Sequence, residues 1–156
     1  MIKTGIGQDS HRFSDEGSAT VAGLVFADAP ALDADSDGDV VFHAICNAIT
    51  SITHVPILGD VAIRLCHDEG IRDSRVYLEE ALKTLGKNRI NHVALTIEGK
   101  RPKFQRRCDE MRSSVAAAMG ISIDQVGITF TTGDGLTDFG LGIGLQAFCI
   151  LTVEAS

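Results

Sequence analysis

The 156-residue sequence lacks any long apolar run, and no window comes near 18 uncharged apolar residues in succession. A membrane-spanning helix is therefore not expected. The first residues, Met1 to Gly5, lack the apolar core of a secretory signal, so we expect a cytoplasmic protein with no membrane partner. Basic residues are also few, with 14 Lys and Arg against 21 Asp and Glu and a net charge of −7. This charge argues against nonspecific binding of nucleic acid.

The chain also lacks a C-x-x-C pair. Its four cysteines lie among apolar residues, which is typical of reduced core thiols rather than of disulfides or a cysteine-based zinc site. They are Cys46, Cys66, Cys108 and Cys149. No internal repeat, low-complexity segment or linker divides the sequence, so we expect one domain over residues 1–156.

The hydrophobic pattern predicts an α/β fold. Strands are expected at residues 2–8, 20–26, 92–98, 126–132 and 145–153. Helices are expected from Ser36, with Asp39 in a capping box, to before Pro56; briefly after Gly59; from Asp73 to Gly86; and from Pro102 to Met119. This order predicts a single two-layer α/β sandwich with a mixed sheet of four or five strands and helices on one face.

Two short patterns predict a metal site. In Asp9-Ser10-His11, strand alternation would project Asp9 and His11 to the same side, with their Cα atoms about 7 Å apart. His43 would join them from a helix lying beside that strand. Two His and one Asp leave a fourth position open, which is typical of catalytic zinc. The alternative reading of this pattern alone is a surface Asp-x-His and a structural helical histidine.

Two other metal or cofactor patterns fail on inspection. The run from Asp33 to Gly38 matches the first half of an EF-hand loop, but Ala44 stands where a bidentate Glu is required. The glycines at Gly140, Gly142 and Gly144 are followed by only 12 residues, too few for a dinucleotide-binding βαβ unit.

Two segments are suited to phosphate. Thr131-Thr132-Gly133-Asp134-Gly135 ends a strand with hydroxyls, N–H groups and a carboxylate, so it could hold a phosphate and a magnesium-type ion, or form an ordinary polar turn. The segment Glu98 to Lys103, with Arg106 and Arg107 close by, places cations before an expected helix start. That combination suits phosphate, although exposed basic helix starts are also common.

Taken together, these segments resemble one family, the 2-C-methyl-D-erythritol 2,4-cyclodiphosphate synthases. The pieces that carry the resemblance span almost the whole chain and keep the family's order and spacing. They are Gly7-Gln8-Asp9-Ser10-His11, Ser36-Asp37-Gly38-Asp39-Val40 with His43, Leu58-Gly59-Asp60, Asp73-Ser74, Pro102-Lys103 and Thr131-Thr132-Gly133-Asp134. The pairing of D-x-H with S-D-G-D-x-x-x-H is the most specific of them, and it favours the metal-site reading.

The resemblance implies an enzyme that cyclises 4-diphosphocytidyl-2-C-methyl-D-erythritol 2-phosphate and releases CMP, a step of non-mevalonate isoprenoid precursor biosynthesis. It implies a homotrimer around a three-fold axis, Zn²⁺ on Asp9, His11 and His43, and Mg²⁺ or Mn²⁺ at Asp134. It assigns catalytic roles to Asp35 and Thr132. The substrate-binding residues it implies are Asp9, His11, Asp35, Ser36, Asp60, Ala62, Pro102, Lys103, Thr131, Thr132, Gly133 and Asp134.

The sequence departs from the family pattern at several of these positions. Asp35 stands where relatives usually carry a histidine that helps to order the reacting phosphate. Asp134 replaces a glutamate, and the stretch Cys66-His67-Asp68 replaces F-P-D in the substrate loop. The usual Arg and Glu of the glycine-rich stretch are replaced by Leu141 and Ile143, so a polar ligand on the trimer axis is not predicted.

Two other functions remain open from the sequence. One is a metal-binding module without catalysis, which would follow if Asp35 prevents phosphate placement. The other is a metal-dependent hydrolase of a different diphosphate, which would yield an open-chain phosphate rather than a cyclic product.

Overall fold

Four long strands form the main sheet in the computed structural model, which describes residues 1–156. The strands are β1 (Ile2–Arg12), β4 (Arg89–Glu98), β5 (Val126–Thr131) and β6 (Gly144–Glu154), and a separate hairpin contains β2 (Ala19–Val21) and β3 (Leu24–Phe26). The order across the main sheet is β1-β6-β4-β5. Only β4 and β5 run parallel, and β6 is antiparallel to both of its neighbours. The predicted mixed sheet is confirmed.

The helices are α1 (Val40–Thr53), α2 (Asp60–Ile63), α3 (Ser74–Lys83) and α4 (Cys108–Met119). A π-helical segment, Arg64–Asp68, continues directly from α2. Short 3-10 turns occupy Gln105–Arg107, Ile123–Gln125 and Gly133–Gly135. No helix is long and apolar enough to cross a membrane.

The predicted strand at residues 20–26 is wrong, because the chain reverses within it. Ala22 and Gly23 both have positive φ angles, 54° and 75°, which is the backbone pattern of a two-residue hairpin turn. Their N–H groups donate to the buried carboxylate of Asp39, at 2.9 Å from Ala22 and 2.7 Å from Gly23. The turn therefore depends on a residue 16 or 17 positions away.

Two predicted helix starts are also wrong. Asp39, not Ser36, caps α1, since its carboxylate accepts from the N–H groups of Val41 and Phe42. Pro102 lies outside any helix, and α4 begins at Cys108. The predicted helix at Asp73–Ser74 is confirmed, with Asp73 as its N-cap.

Helix α1 lies very close to β1 because two glycines of that strand face it. A Cβ on Gly5 or Gly7 would collide with backbone atoms of α1 near Ala44 and Ala48. This close approach seats the first turn of α1 directly over the C-terminal half of β1.

The two faces of the sheet differ in cover. On the helical face, the side chains of β4 and β6 are buried, including Ile97 and Leu151. On the opposite face, apolar side chains remain exposed: Ile6 is 60% exposed, its cross-strand partner Ile150 46% and Phe148 38%. Helices on one face were predicted, and this arrangement confirms the two-layer sandwich.

Candidate active site

The structure brings Asp9, His11 and His43 together. Asp9 and His11 lie on one face of β1, and His43 comes from the first turn of α1. Asp9 Oδ2 is 3.0 Å from His11 Nε2 and 3.1 Å from His43 Nδ1. The three ligand atoms all lie within 4.8 Å of one another, and no other group of three His, Cys, Asp or Glu residues is placed to hold an ion.

The contacts within the cluster shift the pKa values of Asp9 and His11. Burial alone would raise the pKa of Asp9, but its contacts with His11 and His43 outweigh burial and hold that pKa below its usual value. The same contact with Asp9 raises the pKa of His11, although burial acts in the opposite direction. The cluster therefore keeps its carboxylate ionised, which is the form a metal requires.

The donor set fits a metal ion such as zinc. Although His11 Nε2 is close to Asp9, it is buried and has no hydrogen-bond partner of good geometry. A buried ring nitrogen without a hydrogen bond is costly unless another partner satisfies it. Two imidazoles and one carboxylate with a fourth position open also match the usual ligands of catalytic zinc.

The second nitrogen of His43 is held by a relay of two further residues. Ser74 Oγ, which is fully buried, lies 2.8 Å from His43 Nε2. The same hydroxyl donates to Asp37 Oδ1, so it is free to accept from His43. In this arrangement Nε2 carries the proton and Nδ1 offers its lone pair to an ion, which is how outer residues orient metal-binding histidines.

A cavity of about 250 Å³ opens above the cluster. Its walls come from the loop before α1 and from the α2 and π-helical segment. The lining residues are Asp9, His11, Ala34, Asp35, Ser36, His43, Leu58, Gly59, Ala62, Ile63, Cys66, His67 and Tyr77. Five residues predicted to bind substrate therefore share this cavity: Asp9, His11, Asp35, Ser36 and Ala62.

Ser36 and Asp35 occupy different depths of this cavity. Ser36 is buried, and its Oγ accepts from the Gly38 N–H at 3.2 Å and lies 3.4 Å from His43 Nε2. Asp35 is exposed, and its carboxylate lies 3.4 Å from His67 Nε2. Asp60 is exposed at the start of α2 and does not line the cavity.

Other predicted residues form a second, basic cavity of about 260 Å³. It is lined by Gly99, Lys100, Pro102, Lys103, Phe104, Gln105, Arg106, Phe130, Thr131 and Thr132. Phe104 and Phe130 stack with their ring centroids 5.3 Å apart. The backbone N–H of Lys103 donates to Asp28 at 3.0 Å, which fixes this wall.

The two cavities lie near opposite edges of the main sheet, one at β1 and the other at β5. Across one row, Ser10 pairs with Gln146, Gln146 with Glu98, and Glu98 with Thr131. Three strand spacings of about 4.8 Å each separate the ends of that row by about 14 Å. One chain therefore does not bring the metal cluster and the Thr131–Thr132 segment into a single pocket.

Asp134 lies beyond both cavities. It is exposed in the Gly133–Gly135 turn with a positive φ of 50°. Thr132 Oγ1 lies 3.4 Å from both the N–H and Oδ1 of Asp134. No group of three potential metal ligands includes Asp134. Magnesium is usually held by one or two carboxylates together with substrate phosphates, so this position is compatible with such an ion.

Three site residues were not predicted from the sequence. Ser74 holds His43, Tyr77 stacks beside the His43 ring with centroids 6.0 Å apart, and His67 lies in the cavity wall. Ser74 and Tyr77 are one helical turn apart on α3, and Ser74 was recognised only as part of a motif. His67 follows Cys66 in the sequence. Cys66 was expected to be a core thiol, but both residues line the cavity.

Comparison with known proteins agrees with this geometry. Residues 2–154 match the model of the YgbB family. A 2-C-methyl-D-erythritol 2,4-cyclodiphosphate synthase of Chlamydia felis is 58% identical over 98% of this chain and 89% of the relative. The synthase of Chlamydia trachomatis serovar L2b is 49% identical over 98% of this chain and 88% of the relative.

Solved structures show the same fold. A 2C-methyl-D-erythritol-2,4-cyclodiphosphate synthase in its CDP-bound form aligns with a TM-score of 0.84 and 27% identity, over 97% of this chain and 100% of the other. The bifunctional IspDF from Campylobacter jejuni aligns with a TM-score of 0.91 over 100% of this chain and 43% of the other. At 21% identity, that second likeness concerns the fold alone.

Proposed function

This chain belongs to the YgbB family, and we propose that it converts 4-diphosphocytidyl-2-C-methyl-D-erythritol 2-phosphate into 2-C-methyl-D-erythritol 2,4-cyclodiphosphate with release of CMP. The observation that carries the proposal is the Asp9, His11 and His43 cluster beneath a cavity. Relatives of the same family at 58% and 49% identity bear the name of this synthase.

The reaction requires correct positioning of the two reacting phosphates rather than a strong general base. The nucleophile is the 2-phosphate of the substrate, which is already ionised at neutral pH, so no Ser-His-Asp relay is required. The protein has to hold two mutually repelling phosphates in line and stabilise the charge of the transition state. Asp9, His11 and His43 would hold the zinc ion, which would supply Lewis-acid stabilisation of charge on the substrate phosphates.

The remaining roles belong to side chains of both cavities. Ser36 and Thr132 donate hydrogen bonds to phosphate oxygens, and Asp60 accepts from the ribose. Pro102, Lys103 and the backbone that follows receive the cytidine end, supported by the basic lining of the second cavity. Asp134 would hold Mg²⁺ or Mn²⁺, and the ion would supply positive charge that neutralises the diphosphate.

The proposal includes a homotrimer with active sites between subunits. Two observations support it. The uncovered face of the sheet is apolar at Ile6, Phe148 and Ile150, which is typical of a surface that another chain covers. In addition, the metal cluster and the Thr131–Thr132 segment of one chain lie about 14 Å apart across the sheet, so a second copy is needed to complete the site.

We also propose a cytoplasmic location. All four cysteines are free, as is usual in a reducing compartment. The phosphorylated, nucleotide-linked substrate belongs to the same compartment.

The decisive experiment is to incubate the zinc-loaded protein with the cytidyl substrate and magnesium. We expect stoichiometric CMP and a cyclic diphosphate, both followed by phosphorus NMR. An open-chain phosphate in place of the cyclic product would identify a hydrolase. Bound zinc with no reaction at all would identify a metal-binding module, and either result would contradict the proposal.

A further inference from the structure

The cavity above the metal cluster contains few groups that could bind an anion. No lysine or arginine is among its thirteen lining residues. Its basic side chains are three histidines, of which His11 and His43 belong to the metal cluster. The third, His67, is therefore the only basic side chain left in the wall.

Two neutral donors of the cavity wall are already engaged. Tyr77 Oη donates to the Ile71 carbonyl at 2.5 Å. Cys66 Sγ donates to the Asp35 carbonyl at 3.0 Å. Ser36 Oγ is buried against His43 and accepts from a backbone N–H, so its own proton faces only a ligand deep in the cavity. An anionic ligand entering from the open side would thus meet His67 as the principal free side-chain donor at the rim.

His67 has a carboxylate partner. Its Nε2 lies 3.4 Å from Asp35 Oδ2, and the side chains are 56% and 82% exposed, respectively. A lone carboxylate at this rim would repel a phosphate, whereas a carboxylate paired with an imidazolium carries no net charge. An imidazolium has two N–H groups, so one can bond Asp35 while the other remains for a ligand.

The backbone holds this pair together. His67 lies in the π-helical segment Arg64–Asp68, and such segments occur frequently at functional sites. Several bonds tie the segment and its continuation to the loop that carries Asp35. Among them, the Cys66 thiol donates to the Asp35 carbonyl, and Arg72 Nη2 donates to the Ser36 carbonyl at 3.1 Å.

From these contacts we infer that His67 binds the substrate phosphate nearest the metal cluster and that Asp35 positions its imidazole. The inference rests on the proposed function, because that function puts a diphosphate in this cavity. It assigns a phosphate-binding role to His67, which the sequence did not predict. It also explains how a carboxylate at Asp35 is tolerated beside an anion.

The test compares CDP and CMP binding to the zinc-loaded protein by calorimetry. Since only CDP has a β-phosphate, His67→Ala should weaken CDP roughly tenfold, the size of one hydrogen bond to a charged group, and leave CMP unchanged. Zinc content should also stay unchanged. Arg64→Ala, a cation of the same π-helical segment outside the cavity lining, is the matched control and should bind both nucleotides as the parent does.

A second variant separates electrostatics from folding damage. In His67→Ala, Asp35 is left as an unpaired negative charge facing the β-phosphate. Adding Asp35→Ala should therefore recover part of the lost CDP affinity, because it removes the repulsion. A purely structural defect would not be repaired by a second truncation.

The possible outcomes distinguish failure of the His67 role from failure of the proposed synthase activity. If the parent releases CMP from the cytidyl substrate but His67→Ala binds CDP normally, or loses CMP affinity by the same factor, the inference is wrong. A double variant that binds CDP more weakly than His67→Ala alone would overturn the pairing with Asp35. A parent that releases no CMP would contradict the proposed function itself.

Discussion

The two cavities of this chain differ in how completely the protein builds them. Around the metal cluster, His43 and Ser74 are buried, and the two ring nitrogens of His43 contact Asp9 and Ser74 from other elements. Around the second cavity and its adjoining turn, Thr131, Thr132 and Asp134 are exposed and bond mainly within their own turn. A site fixed by tertiary contacts is ready before substrate arrives, whereas an exposed turn acquires its partners on binding.

The reason for the difference lies in the supporting elements. The metal cluster joins β1 to α1, which glycines at positions 5 and 7 allow to lie against each other. The Thr131–Asp134 segment instead begins at the last residue of β5 and continues into an exposed turn. We therefore expect zinc binding to be a property of one chain and turnover to be a property of the assembly.

The largest effect is expected from His43→Ala. Removing one of three protein ligands leaves too few donors for tight binding, so zinc should fall from about one per chain to near zero. CMP release should fall at least about a hundredfold, because the charge stabilisation of a metal is worth several kcal/mol. Asp9→Ala should behave alike. Elemental analysis and a CMP assay provide the measurements, and His92→Ala, on β4, serves as the control.

If both variants retain zinc, the assignment of the cluster as the zinc site is wrong. The comparison of the two cavities would then lose its basis, because the buried one would no longer be the metal centre.

Next in size is Ile150→Asp, which tests whether assembly matters only for the second cavity. A carboxylate placed on the apolar face of the sheet would be buried unpaired in a trimer, which should weaken association by roughly a hundredfold or more. We expect a monomer by light scattering that retains zinc but has lost most CMP release. Val25→Asp, on an exposed residue of the β2–β3 hairpin, is the matched control.

A trimeric Ile150→Asp protein would show that another surface makes the interface. A monomer with full activity would show instead that one chain contains a complete site, which would remove the difference between the cavities.

Ser74→Ala should have a smaller effect on the same metal centre. It removes the hydroxyl that accepts from His43 Nε2 and donates to Asp37 Oδ1, while all three ligands remain. Loss of such an outer contact typically lowers metal affinity 10- to 100-fold. Competition with a zinc chelator measures this affinity, and Ser74→Thr, which keeps the hydroxyl, should restore much of it. An unchanged affinity in Ser74→Ala would mean that the relay does not orient His43.

The sequence predicted the metal centre better than its surroundings. Strand alternation places Asp9 and His11 on one side, and a helical period places His43 near the start of α1, so local rules suffice for the ligands. The contact of Ser74 with His43 spans 31 residues and follows from how α3 packs against α1, which no local pattern encodes.

Errors in the fold have the same origin. Ser36 and Asp39 are both good capping residues three positions apart, and burial of the Asp39 carboxylate against the Ala22–Gly23 turn decides between them. Ala22 gives no turn signal by itself, since alanine rarely adopts a positive φ. The strand predicted at residues 20–26 failed for that reason.

Asp134→Ala should give the smallest effect and is the direct test of the second cavity. Asp134 is exposed and belongs to no group of three potential metal ligands, so its magnesium-type ion would depend largely on substrate phosphates. We therefore expect turnover to fall roughly tenfold, which is about 1.4 kcal/mol of transition-state stabilisation, with zinc content unchanged. Added Mg²⁺ or Mn²⁺ should stimulate the parent strongly and the variant weakly. Asp138→Ala, an exposed acid of the following loop, should respond to these ions as the parent does. If CMP release by the parent were unchanged after removal of magnesium-type ions, the second metal would have no role. The buried cluster alone would then stabilise the charge of the transition state.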